Sequence, residues 1–393
     1  MISLPLPFEA GALRDYALRG TPPAQPLPGI RFNRIAYSAA HVVADPLAAI
    51  DPSLQCAVDW DATMAYRRYL WSLGLGVAEA MDTAQRGMGL DWPTSLELIR
   101  RSIEASRDTP GALLASGCGT DHLPPENARS VDDVIRAYEE QMEAIEALGG
   151  KLIVMASRAL ARVAQSPADY ERVYDRILSQ VREPVVLHWL GDMFDPALAG
   201  YWGTQDTNEA MNTALGIIAA HAGKVDGIKI SLLDKDKEIA MRRRLAPGVR
   251  MYTGDDFNYA QLIAGDGFGT EPTHGKSDAL LGIFDAIAPA ASSALGELAQ
   301  GRTERFHAIL GPTVALSRHI FQAPTRFYKT GVVFMAWLNG HQKHFTMVGG
   351  QQSTRSLLHL AELFRLADAA NLLQQPELAA HRMKTLMAVH GLE

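Results

Sequence analysis

Cysteine is nearly absent: the 393 residues contain two, Cys56 and Cys118. A disulfide framework is therefore excluded, two distant thiols cannot close a zinc site, and a reducing compartment is the natural expectation. Also missing is any uninterrupted apolar run of the ~18 residues that a membrane-spanning helix needs. The opening Met1-Ile2-Ser3-Leu4-Pro5 has neither the charged start nor the continuous apolar core of a signal peptide, so a cytoplasmic location is expected. Long basic blocks are lacking too. The net charge is −7, and the densest basic run, Arg242-Arg243-Arg244, follows the mixed-charge stretch Asp234 to Glu238 and reads as one solvated helix face. Without clustered Lys and Arg, neither nucleic acid nor a membrane surface is an expected partner.

What is present is the composition of an ordinary globular protein, 47% hydrophobic and 21% charged, with length for one large domain or two. Residues 1–29 are rich in proline (Pro5, Pro7, Pro22, Pro23, Pro26, Pro28) and cannot run as one regular element, so they are expected to form an extended arm. Beyond them, short apolar runs alternate with helix-periodic stretches, the pattern of parallel βα units. Strands are predicted at Arg34–Ser38, Gly76–Met81, Ala112–Ser116, Lys151–Met155, Pro184–His188, Val225–Ile230 and Val249–Thr253. Helices are predicted at Trp60–Ser72, Thr94–Ser106, Val131–Leu148, Ala168–Gln180, Asn208–His221 and Lys235–Leu245. Closing a (β/α)8 TIM barrel needs an eighth strand, and the available candidate is the glycine-rich Gly265–Thr270. From Ser277 the pattern becomes helical. The expected organisation is an arm at 1–29, a barrel at 30–288 and a packed C-terminal helical segment at 289–393.

In such a barrel the chemistry lies at the C-terminal ends of the strands. Lys229 interrupts the apolar run Val225-Asp226-Gly227-Ile228-Lys229-Ile230, and alternation places it on one face with Val225 and Gly227. If that face is the interior, Gly227 leaves room beside the lysine stem and desolvation lowers the amine toward a nucleophilic state. The alternative is a lysine snorkelling to the barrel rim. His188, ending its strand, is either a proton shuttle or a core histidine satisfied by a carbonyl. Asp82, Asp255 and Asp256 at strand ends can be acids, ligands or helix caps. His41, His122, His188 and His274 lack metal-ligand spacing, and His341 and His344 lie away from the strand ends, so no metal is expected.

From about Arg34 to the last quarter of the chain, a colinear set of segments resembles the dihydrodipicolinate synthase/N-acetylneuraminate lyase aldolases, as a divergent branch. The segments are Val58-Asp59-Trp60-Asp61, Gly74-Leu75-Gly76-Val77 leading to Asp82-Thr83, Ser95 to Arg100, Gly227-Ile228-Lys229 and Thr253-Gly254-Asp255-Asp256. The resemblance implies a barrel, a Schiff base on Lys229, no cofactor, and a homodimer or homotetramer. Two departures stand out. Where the family carries a paired-threonine turn for the substrate carboxylate, this chain reads Met81-Asp82-Thr83-Ala84-Gln85-Arg86-Gly87, so that a carboxylate meets Asp82 unless Asp82 is protonated or Arg86 turns inward. His188 replaces a tyrosine proton relay, and no arginine follows it in Leu190-Gly191-Asp192-Met193-Phe194.

The expected function is thus a class I aldolase or dehydratase acting on a small keto acid or sugar-derived carbonyl compound. Lys229 and His188 are its catalytic candidates, and Ser38, Asp82, Thr83, Asp255 and Asp256 its substrate-binding candidates. The alternatives are a metal-dependent barrel isomerase or aldolase using Glu79, Asp82, His188 and Asp255, and a non-catalytic ligand-binding protein on the same scaffold.

Overall fold

A computed structural model describes residues 2–8, 12–27, 29 and 31–392. Met1, Pro28, Ile30 and Glu393, which fall in or bound the expected segments, lie outside the described residues. Eight parallel strands close into a barrel: β3 (Ala36–Ala39), β4 (Gly76–Glu79), β5 (Leu114–Cys118), β6 (Leu152–Met155), β7 (Val185–Leu190), β8 (Val225–Ser231), β9 (Arg250–Thr253) and β10 (Asp278–Leu281). Ahead of them, β1 (Ser3–Pro7) and β2 (Leu13–Ala17) pair antiparallel as a hairpin within the proline-rich arm. Pro5 and Pro7 lie on β1, opposite Asp15 and Leu13, and are tolerated because each strand of a two-stranded ladder has an edge that needs no donor.

Closure is made by β10, which pairs with β9 on one side and β3 on the other. Gly265–Thr270 is loop instead. The expectation of helix from Ser277 onward is corrected with it: Asp278 to Leu281 form the eighth strand, anchored where Asp278 Oδ1 accepts from Ile35 N at 2.7 Å.

The helices between strands follow their caps. Asp59 accepts from Ala62 N to start Trp60–Ser72, Asp91 accepts from Thr94 N to start Trp92–Arg107, and Ser130 with Asp133 forms a capping box before Val131–Ala147. Alternation along each strand separates two cores. Tyr37, Ala78, Ala115, Ile153, Val186 and Tyr252 fill the barrel interior, while Val77, Val154, Leu187, Ile228 and Met251 face the surrounding helices.

Beyond β10 the chain is helical. Ala288–Ala299 covers the barrel, and Tyr328–Leu338 is buried on every side, as expected for a helix apolar all round. The N-terminal hairpin docks on the last helices: Leu4 and Leu6 are buried, and Asp368 Oδ2 accepts from Tyr16 Oη at 2.8 Å and Arg19 N at 3.0 Å. No helix among the described residues is long and apolar enough to cross a membrane.

Candidate active site

Strand register sets the first pair. His188 on β7 lies directly beside Lys229 on β8, with Leu190 beside Ser231 one step further. Gly227, Lys229 and Ser231 share the interior face, because Ile228 and Ile230 between them pack outward. Lys229 is 7% exposed, and its Nζ hydrogen-bonds to no described protein group. Burial depresses its ammonium form, opposed by the carboxylates of Asp82 and Asp256. The space beside the stem comes from Gly254 after β9, where a Cβ would stand 2.8 Å from Lys229 Cε and 2.3 Å from Ser231 Oγ. It does not come from Gly227, whose own missing side chain is replaced by the Tyr252 ring at 2.7 Å.

Burial, with Lys229 beside it, holds the His188 imidazole well below its ordinary value, so the ring is neutral. Its Nε2 lies 3.4 Å from Ser231 Oγ. Asp256 is 4% exposed and accepts from Ile283 N at 3.0 Å. Burial pushes its carboxyl up to about 7, against the pull of Ile283 N–H and Lys229.

His188 lines a recess whose wall also includes Asp82, Arg86, Asp121, Arg158 and Asp195. Asp82 is partly buried there and accepts no side-chain hydrogen bond from a described residue. Arg86 does turn inward, but its guanidinium is engaged by Asp121, at 2.7 Å and 3.1 Å, and by Gln141. Thr83 sits at the end of β10 near Gly282 and shares a 2.8 Å hydrogen bond with Tyr328 Oη.

The remaining candidates lie elsewhere. Ser38 faces outward between Tyr37 and Ala39, both interior, and its Oγ is buried without a partner. Asp255 is a cap: its carboxylate accepts from Phe257 N at 2.8 Å, Asn258 N at 3.0 Å and Asn258 Nδ2 at 2.8 Å. Glu79 also faces outward, holding Arg67 through bonds of 2.8 Å and 2.9 Å with both side chains fully buried. Hence Glu79, Asp82, His188 and Asp255 do not converge as a metal set. Among the described residues no group of three or more His, Cys, Asp or Glu is placed to hold a metal ion.

The sequence leaves the role of Phe327-Tyr328-Lys329 open; the C-terminal helix brings Tyr328 and Lys329 to the same recess beside Asp82, Arg86, Arg158 and Asp195. The available signal was the one that marked Lys229: Lys329 is the charged residue in an otherwise uncharged run from Tyr328 to Leu338.

No curated protein matches the chain in sequence. In structure it is similar to dihydrodipicolinate synthase from Aquifex aeolicus, with a TM-score of 0.62, 11% identity, and coverage of 87% of this chain and 99% of that one. It is similar also to a prophage protein of the dihydrodipicolinic acid synthase family from E. coli K12 in complex with pyruvate, with a TM-score of 0.64, 14% identity, and coverage of 86% and 99%. The Thermotoga maritima dihydrodipicolinate synthase gives a TM-score of 0.61 at 15% identity, with coverage of 86% and 99%. At these identities the likeness is one of fold. The family model described as "Protein of unknown function (DUF993)" matches residues 4–392, and the chain therefore belongs to that family, built on the barrel of the dihydrodipicolinate synthases.

Proposed function

We propose that this protein is a Schiff-base-forming lyase, an aldolase or dehydratase, acting on a small carbonyl compound. The observation that carries this reading is Lys229: a buried interior lysine on a barrel strand, without a hydrogen-bonded counter-ion, next to a neutral histidine that lines an open recess. A lysine whose ammonium is disfavoured by burial supplies the free amine that attack on a carbonyl requires.

The amine of Lys229 adds to the carbonyl carbon to give a carbinolamine, and loss of its hydroxyl as water leaves a protonated imine. The imine nitrogen then accepts the electron pair released when the adjacent carbon–carbon bond breaks, or when a proton leaves that carbon before a β-hydroxyl departs. Hydrolysis consumes one water, releases product and restores Lys229. Two groups support the proton transfers: the neutral imidazole of His188, in reach of Ser231, and Asp256, which titrates near neutrality beside the lysine. Asp82 in the recess wall suits a substrate hydroxyl, and Thr83 is bonded to Tyr328, which lines the recess.

Borohydride reduction with a panel of keto acids and keto sugars, followed by peptide mass spectrometry, tests the proposal. The expected result is an irreversible adduct on the peptide containing Lys229, absent in Lys229→Arg. Failure of every carbonyl compound to trap, with metal co-purifying, would overturn it in favour of metal chemistry.

A further inference from the structure

A second buried lysine, Lys329, lines the recess beside Asp82, Arg86, Arg158 and Asp195. Lys329 is 5% exposed, and its Nζ contacts Arg326 O at 3.2 Å and Met88 Sδ at 3.0 Å. No carboxylate hydrogen-bonds to it among the described residues. It also occupies the first turn of the helix Tyr328–Leu338, where unsatisfied N–H groups and the helix dipole disfavour a cation. Burial lowers its ammonium to about 8, still protonated at neutral pH. A buried ammonium at the positive end of a helix, with a thioether and a carbonyl as its contacts, is a poor arrangement for stability alone.

The surroundings show what would relieve it. This part of the recess is lined by three cationic side chains, Arg86, Arg158 and Lys329, against two carboxylates, Asp82 and Asp195. Asp195 is held by Arg158, and Arg86 is held by Asp121. The Arg158 guanidinium is admitted by Gly87, where a Cβ would stand 2.8 Å from its Nη1. Asp82 is the remaining carboxylate, and its field acts on both Lys229 and Lys329. One carboxylate thus acts on both lysines: Lys229, buried beside the recess-lining His188, and Lys329, which lines the recess itself and has no hydrogen-bonded counter-ion.

We propose that Lys329 anchors an anionic group, a carboxylate or a phosphate, on the small molecule that enters this recess, with Arg158 beside it. Combined with the imine reading, on which the role of Lys229 rests, the substrate class becomes an anionic carbonyl compound held by its charged end on the C-terminal helix. This differs from anion recognition by the turn after β4, which here carries Asp82.

The test compares matched probes by calorimetric titration: dihydroxyacetone phosphate against dihydroxyacetone, pyruvate against hydroxyacetone, and inorganic phosphate alone. The intact chain, Lys329→Met, Lys329→Arg and Lys229→Ala are each titrated, with thermal unfolding to establish that every variant is folded. At least one charged probe is expected to bind the intact chain at least about tenfold more tightly than its uncharged counterpart. The phosphate and carboxylate pairs report which anion is preferred. Lys329→Met loses that difference and Lys329→Arg retains it. Lys229→Ala keeps the preference for charge, so that failure of borohydride trapping and failure of this proposal are separate results. Equal binding within both pairs, no binding of any anion, or undiminished charge preference in Lys329→Met overturns the assignment.

Discussion

Glu79 and Asp82 are three positions apart in the chain, yet one belongs to the outer wall of the barrel and the other to its mouth. On the outer wall Glu79 is closed on all sides: Arg67 holds both oxygens, Ser102 Oγ donates at 2.5 Å and Ala80 N at 2.8 Å. A second outer-wall acid, Glu238, likewise accepts from Ser277 Oγ at 2.7 Å and Thr253 Oγ1 at 2.9 Å. At the mouth, Asp82 acts through space on both Lys229 and Lys329, with no hydrogen bond joining it to either. Buried charges that serve the fold end in complete networks, because a half-satisfied network costs stability. On the proposed function, those left open at the mouth are the ones that meet the substrate.

Mutations can break this division, and the largest effect is expected on the outer wall. Glu79→Ala strands a fully buried Arg67 guanidinium and should cost about 3–5 kcal/mol by chemical denaturation. Lys229→Met, which removes a buried charge without orphaning a bonded partner, should leave the midpoint unchanged or raised. A Lys229→Met protein as destabilised as Glu79→Ala would dissolve the distinction.

A comparable effect is expected from pH. Burial pushes the Glu238 carboxyl up to about 8, so the folded chain retains a proton that the unfolded chain, near 4.5, has released. Stability therefore declines as pH rises from about 4.5 to about 8 and levels off above, by on the order of 5 kcal/mol from this group. Glu238→Gln should flatten that slope in melting curves taken between pH 5 and pH 8. A slope unchanged in the variant would place the pH dependence elsewhere, with Asp256 the next group to test.

Ser38→Ala should have the least effect. Its hydroxyl is buried on the outward face without a partner, so stability should hold or rise slightly and ligand binding should not change. Weakened binding in this variant would bring Ser38 back into the site.

The sequence made Lys229 visible and its surroundings obscure, for one reason. Charge interrupting an apolar run is a local signal, and it marked Lys229 on β8; alternation then gave the correct face. Which residue comes against the lysine stem depends on the stagger between β8 and β9, which no single strand encodes, so Gly227 was expected where Gly254 serves. Seven strands were legible as apolar runs between turn signals. Asp278 to Leu281 was not, because four residues running directly into Ile283 and Phe284 carry no period that separates strand from helix. Lys329 lies a hundred positions from Lys229 and meets the same recess through packing of the last helices, a relation that spacing along the chain does not contain.

The hairpin of β1 and β2 carries a consequence for how the molecule is made. Its docking partners, Asp368 and the helices Leu357–Ala369 and Pro376–Val389, lie roughly 350 positions downstream. At ribosomal speeds of ~5–20 residues per second, the hairpin waits on the order of half a minute for its seat to be synthesised. During that interval Leu4 and Leu6 are uncovered on an unpaired strand edge, the kind of surface that holdase chaperones recognise. The hairpin is secured only after the chain some 350 positions beyond it has been made.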